Sequence, residues 1–213
     1  MFTFFRKKAA PIKALSIPDL GWEKVRDTSG IIQWTHPGQS ISVSVNYYDL
    51  PPDIPSVKDI SAIRQFFRTS VTSAGGGILA VDLAHHQHIP LVSTLFKFPQ
   101  QPSGITYIAS VIIPFKECSY VLKVTAAEAG HTGMREAVMV DRLLRDGFDM
   151  DQLYADPYAP ALQEGLLMNA TEQPEYDTLF PSHHLTQARQ LIARITQEMI
   201  LQPVIFQLPP FEK

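Results

Sequence analysis

From Trp22 onward, apolar and polar residues alternate in short runs. WEKVRD (22–27) and GIIQWTH (30–36) are separated by a turn at Thr28, Ser29 and Gly30. A second turn at His36, Pro37, Gly38 and Gln39 leads into a run where Ile41, Val43, Val45 and Tyr47 alternate with Ser42, Ser44 and Asn46. A period of two places the apolar set on one face of a strand and the polar set on the other, so one face here is expected to be buried. After LPPDIPS the period changes. Val57, Ile60, Ile63, Phe66, Phe67 and Val71 recur at spacings of three and four, which predicts an amphipathic helix with Lys58, Arg64 and Arg68 turned towards water. Ser56 followed three residues later by Asp59 resembles a capping arrangement at its start. Gly75, Gly76 and Gly77 stop the helix, because glycine takes the left-handed conformation without penalty.

Four strand-like runs follow, 78–86, 89–98, 104–114 and 118–127. Their short connections predict antiparallel neighbours, since a parallel crossover needs a dozen or more residues. Thr132 is placed to cap a second helix ending near Arg145, with Val138, Leu143 and Leu144 among its apolar positions. Residues 146–181 contain Pro157, Pro160, Pro174 and Pro181 and no clear period, which predicts an extended arm anchored by Leu166, Leu167 and Met168. Ser182 then caps a last helix whose Leu185, Ala188, Leu191, Ile192, Ile195 and Met199 form one stripe. Pro203 ends it, and VIFQL follows. The expected class is α+β, an antiparallel sheet of about seven strands covered by helices, without the βαβ alternation of nucleotide-binding folds. The chain divides into a core domain at 1–145 and, at 146–213, an acidic arm plus a C-terminal helix packed on that core.

This order of elements, with GW at the entry, three strands, a helix, a meander and a closing helix, resembles the PsbP-like fold over roughly residues 15–145. That fold is shared by the extrinsic photosystem II subunit, a nuclear-import factor that binds the small GTPase Ran, and several bacterial proteins. The segment PFKECSYVLKVTAAEAGHTGMREAVMVDRLL, residues 114–144, is similar to uncharacterised bacterial members. The resemblance implies a fold and not an activity, because members of one fold do unrelated work. No motif of the photosystem or Ran-binding proteins is present to carry a residue role across.

Composition and charge change this picture. With 213 residues, 45% of them apolar and 18% charged, the chain can build a core without disulfide or metal. No stretch approaches about 18 consecutive apolar residues, so no membrane span is expected. The start, MFTFFRKKAAPIKAL, puts aromatics before basic residues, the reverse of a signal peptide. The lone Cys118 fits a reducing compartment, and a cytoplasmic protein is expected. The net charge of −3 conceals an asymmetry. Between Arg145 and Arg189 lie Asp146, Asp149, Asp151, Asp156, Glu164, Glu172, Glu175 and Asp177 with no Lys or Arg, leaving 18 basic residues against 13 acidic ones elsewhere. So small and scattered a surplus argues against nucleic acid. The acidic stretch reads as a solvated connection, or as a surface for a basic partner.

The densest polar cluster is Glu128, His131, Thr132, Arg135 and Glu136, at the handover from the last strand to a helix. As a ligand site it offers helix N–H groups and Arg135 to an anion, with Glu128 and His131 as an acid–base pair. As a structural corner it has Thr132 as cap, Glu136 favouring the first turn, and Arg135 paired with a carboxylate. His86 and His88, beside His85, would share a strand face and are weak metal candidates, since no third ligand is in view. His183 and His184 point in different directions on a helix and are weaker still. No G-x-S-x-G elbow is present, and a carboxylate beside Cys118 raises a thiol pKa instead of lowering it. The glycines at 75–77 follow a helix, whereas phosphate loops precede one. No catalytic residue and no cofactor are expected. The favoured reading is a non-catalytic binding or adaptor module holding a protein partner on a sheet face or on the arm. The alternative is an enzyme with a site around Glu128, His131 and Arg135. The apolar tail 204–208 has no evident place in the domain; it is expected to pair with a sheet edge or to dock on another subunit, which would make the protein self-associate.

Overall fold

The computed structural model describes residues 11–212. The leader-like comparison drawn from the first residues therefore lies largely outside the described residues. Seven antiparallel strands form the central sheet, preceded by a two-residue strand β1, Leu15–Ser16. They are β2 (Glu23–Asp27), β3 (Ile31–Thr35), β4 (Ile41–Tyr48), β5 (Gly77–His86), β6 (Ile89–Pro99), β7 (Ile105–Pro114) and β8 (Ser119–Ala127). Helix α1 spans Ile60–Ser73, α2 Met134–Arg145 and α3 His184–Glu198. Three further two-residue strands complete the chain: β9 (Tyr154–Ala155) paired with β10 (Met168–Asn169), and β11 (Ile200–Leu201) paired with β1.

The order in the sheet is β2-β3-β4-β8-β7-β6-β5. The chain lays down β2 to β4 as a meander, crosses by α1 to the far edge, and returns through four strands until β8 pairs with β4. The α+β class and the seven antiparallel strands follow from the period of two and the short connections. The β4–β8 closure needed the helix crossover and is not visible in local spacing.

Strand parity sorts the sheet into two faces. Val43, Val45, Ala109, Val111, Leu122, Val124 and Ala126 lie on one face and are buried with Leu185, Ala188, Ile192 and Ile195 of α3. On the other face Ile78, Val81 and Val92 meet Ile63 and Val71 of α1, with Phe66, Phe67 and Phe96 at the margin. Each fully buried aliphatic side chain contributes roughly 1.5–3 kcal/mol. The tail has a place after all: Ile205 is buried, Val204, Phe206 and Leu208 pack on the main core, and Phe115 bridges to Pro210. This removes the reason for expecting self-association. Among the described residues, no helix is long and apolar enough to cross a membrane.

Several local expectations are corrected. Helix α1 starts at Ile60, not Val57, because Asp59 itself caps it by accepting from Ala62 N–H at 2.9 Å. Gly133, with φ of 75°, precedes α2 without a side-chain cap, and Thr132 instead donates to Ser103 Oγ at 3.4 Å. Val138 and Leu144 of α2 are exposed, since α2 packs on the arm and not on the sheet. His183, not Ser182, caps α3. His86 ends β5, whereas His88 lies in the two-residue turn with Gln87, so they do not share a strand face; His88 packs on Phe206. Among the described residues, no group of three His, Cys, Asp or Glu side chains is placed to hold a metal.

Candidate functional site

The acidic arm is solvated only in part, because three of its acids are tied into the fold. Asp156 grips Arg68 of α1 through two contacts of 2.7 and 2.9 Å, and both side chains are buried. Arg68 thus turns inward against the helical pattern. Lys97 of β6 donates to Glu172 at 2.6 Å with 5% and 7% of the two side chains exposed. Asp177 accepts from Arg135 at 2.8 Å and from Arg189 of α3 at 2.9 Å. Three of the arm's eight acids, Asp156, Glu172 and Asp177, therefore meet bases of the rest of the chain. Three separate clamps hold the arm across the sheet's end.

The Lys97–Glu172 and Arg135–Asp177 clamps border a cavity of about 450 Å³, lined by Lys97, Tyr107, Glu128, Arg135, Glu136, Tyr154, Asn169, Glu172 and His183 among others. Glu128, Arg135 and Glu136 of the predicted cluster come together there. His131 and Thr132 do not line it, and His131 is exposed in the turn before α2. The expected Glu128–His131 pair is replaced by Glu128 and His183, 2.9 Å apart. His183 Nδ1 accepts from Leu185 N–H at 3.2 Å, so that nitrogen is unprotonated and the ring proton sits on Nε2, donating to Glu128. One imidazole thus caps a helix and orients a carboxylate. The second Glu128 oxygen accepts from Ile105 N–H at 3.0 Å.

The other groups are equally committed. Arg135 donates to the Thr171 and Gln173 carbonyls at 2.8 and 3.0 Å and to Thr186 Oγ1 at 3.1 Å, besides Asp177. Glu136 accepts from Asn169 at 2.8 Å and from the Tyr154 hydroxyl. The bond to Glu136, with burial, pushes the Tyr154 hydroxyl up to about 12. Asn169 and Glu172 form a capping box, Glu172 accepting from Asn169 N–H at 2.8 Å. The spacing Asn-x-x-Glu at 169–172 was a readable signal for these two. Lys97, Tyr107 and His183 had none, because they reach the site only through sheet register and helix packing. Burial, and then the Glu172 and Glu128 charges, raise Tyr107 above the ordinary tyrosine value. Cys118 is buried, which pushes its thiol up to about 11 and keeps it unreactive.

Two carboxylates, Asp156 of the first clamp and Glu128 of the cavity, give a pH dependence. Burial alone would raise Asp156 and Glu128. For Asp156 the bonds from Arg68 and from Tyr158 and Ala159 N–H outweigh it, and for Glu128 those from His183 and Ile105 N–H, so both sit below their ordinary values of 3.8 and 4.5. A depressed carboxyl adds stability that is present above the ordinary value and disappears as pH falls through the lower folded one. The urea midpoint should fall steadily as pH drops from about 5 towards about 2. The Arg68→Met variant should show a shallower fall; a slope as steep as the parent's would remove Asp156 from the account.

No protein-family model matches the chain, and no curated protein matches its sequence. Solved structures with a similar course exist. The Ran-binding protein Mog1p of Saccharomyces cerevisiae is 8% identical with a TM-score of 0.47, over 88% of this chain and 90% of that one. A mutant of protein Mog1 is 10% identical with a TM-score of 0.49, over 91% and 94%. The protein of unknown function PA94 from Pseudomonas aeruginosa is 8% identical with a TM-score of 0.36, over 62% of this chain and 92% of that one. Likeness at this level carries no function from one chain to another. The expected resemblance to uncharacterised bacterial members of the PsbP-like fold is thereby corrected: the Mog1 structures named span most of this chain, whereas PA94 spans less of it.

Proposed function

We propose that this protein is a non-catalytic binding module that holds a protein partner on the open face of its sheet. The observation that carries this is a contrast in how charge is used. Cavity side chains that would do chemistry are tied to one another, while Lys123, central on the sheet, is exposed and has no ion-pair or hydrogen-bond partner among the described residues. Arg26, Gln33, Ser44, Lys123 and Ser110 form one row across β2, β3, β4, β8 and β7. The row beside it holds Thr35, Ser42, Thr125 and Ile108. Helix α1 covers this side over β5 and β6, and α3 lies on the opposite face.

A sheet face with two exposed cations, Arg26 and Lys123, and no carboxylate in its central row suits a protein surface presenting acidic side chains. Two cations are too few to track a phosphate backbone. Work in the cytoplasm is in keeping with the single buried Cys118 thiol. The arm, the other surface considered for a partner, is committed to the clamps, and deleting it would strand Arg68, Lys97 and Arg135 as buried charges.

The test is charge reversal. Lys123→Glu should leave urea stability within about 0.5 kcal/mol of the parent, since the side chain is exposed. It should weaken capture of the acidic partner about tenfold or more, read by quantitative pull-down and then by titration of that partner. Partner binding at parental affinity in the variant would exclude this face.

A further inference from the structure

On the α3 side of the sheet, α3 packs over β7 and β8 and leaves the strip of β5 and β6 beside it without a helix. Between that strip and α3 runs a groove of about 580 Å³. This lies in the range of small-molecule sites, which are lined mainly by apolar side chains with a few polar groups. Its room comes from small residues, Ala80 and Ala84 of β5, Ala109 of β7 and Ala193 of α3, and its apolar surface from Leu91, Leu95, Val111 and Ile192. From Arg189 to Gln197, both of which line it, α3 gives the groove a length of about 12 Å.

The charge around it is one-sided. No Asp or Glu lines the groove, and Asp82, the acid on this part of β5, is held by Arg64 at 2.9 Å. Arg189 at one end spends two of its five N–H donors, on Asp177 and on the Glu172 carbonyl. Asp177 also serves Arg135, so Arg189 shares its carboxylate with a second guanidinium and keeps three N–H donors unspent. A narrow apolar trough ending at a guanidinium with unspent donors fits a linear hydrocarbon with an anionic head.

We propose that this groove binds a medium-chain fatty carboxylate, its chain along the alanines of β5 and α3 and its head group towards Arg189. The site is on the sheet face opposite the proposed partner surface and does not depend on that reading.

Titration calorimetry of the full chain with decanoate, decylamine and decanol below their micelle concentrations tests it. Decanoate should bind saturably at one site, with decylamine and decanol about tenfold weaker or more. Ala193 is an exposed helix position, so both of its variants below should fold. Ala193→Trp fills the trough and should abolish decanoate binding. Ala193→Glu sets a carboxylate one turn from Arg189 and should weaken decanoate about tenfold while leaving decanol unchanged. No saturable decanoate binding, parental binding in Ala193→Trp, or equal affinity for decylamine would each overturn the assignment.

Discussion

Replacing Arg135 with alanine is expected to lower the unfolding free energy by about 3–5 kcal/mol, the range for breaking a buried ionic network by removing one partner. The guanidinium is 2% exposed. It holds the Thr171 and Gln173 carbonyls, Asp177 and Thr186 at once, so alanine strands two carbonyls and weakens the hold on Asp177. Arg135→Lys should recover little, because an ammonium cannot reach four acceptors spread around a planar fork. Urea unfolding measures the loss, and hydrogen exchange should place it in α2 and in the arm from Asn169 to Asp177 before the central strands. A folded Arg135→Ala protein within about 1 kcal/mol of the parent would refute the structural role and return this residue to ligand binding.

Much of the fold was legible and much of the site was not, for a physical reason that Arg68 illustrates. Periodicity reports which residues share a face, and by that rule Arg68 belonged with Lys58 and Arg64 on the wet side of α1. Its burial depends on Asp156, 88 residues away, arriving with two well-placed oxygens. The charge count showed that the arm held the missing acids, yet not which acid meets which base. Arg64 differs again: its guanidinium stacks 3.7 Å from the Tyr158 ring centre, while the Tyr158 hydroxyl bonds Val81 N–H and C=O and closes the free edge of β5. Strands, connections and the amphipathic stripes of α1 and α3 obey local rules and could be read. Helix starts shifted by one to three residues because Asp59 and His183 competed with Ser56 and Ser182 for the capping role.

The three consecutive glycines show how one motif can serve two ends, and they separate under mutation. Gly75, with φ of 77°, is the helix stop that the sequence suggested, and a Cβ there would meet nothing within 4 Å. Gly75→Ala should therefore cost only the backbone strain, roughly 1–2 kcal/mol. Gly77 is already in β5, paired with Lys97, and a Cβ on it would lie 1.7 Å from the Leu166 carbonyl oxygen. Neither side can yield cheaply. Moving the strand breaks its ladder next to the Lys97–Glu172 clamp, and moving the arm breaks the bond from Leu166 N–H to the Gly76 carbonyl at 3.2 Å. Gly77→Ala should thus cost about 3 kcal/mol or more, beyond ordinary overpacking, since backbone and not a side chain must shift. The arm should yield first, because its own contacts are fewer than the sheet's. Limited proteolysis should then cut near Gln163 and Glu164 many times faster in Gly77→Ala than in Gly75→Ala. Equal cleavage and equal stability loss in the two variants would mean that the glycines act together as a helix terminator, and that the arm does not depend on a bare backbone at β5.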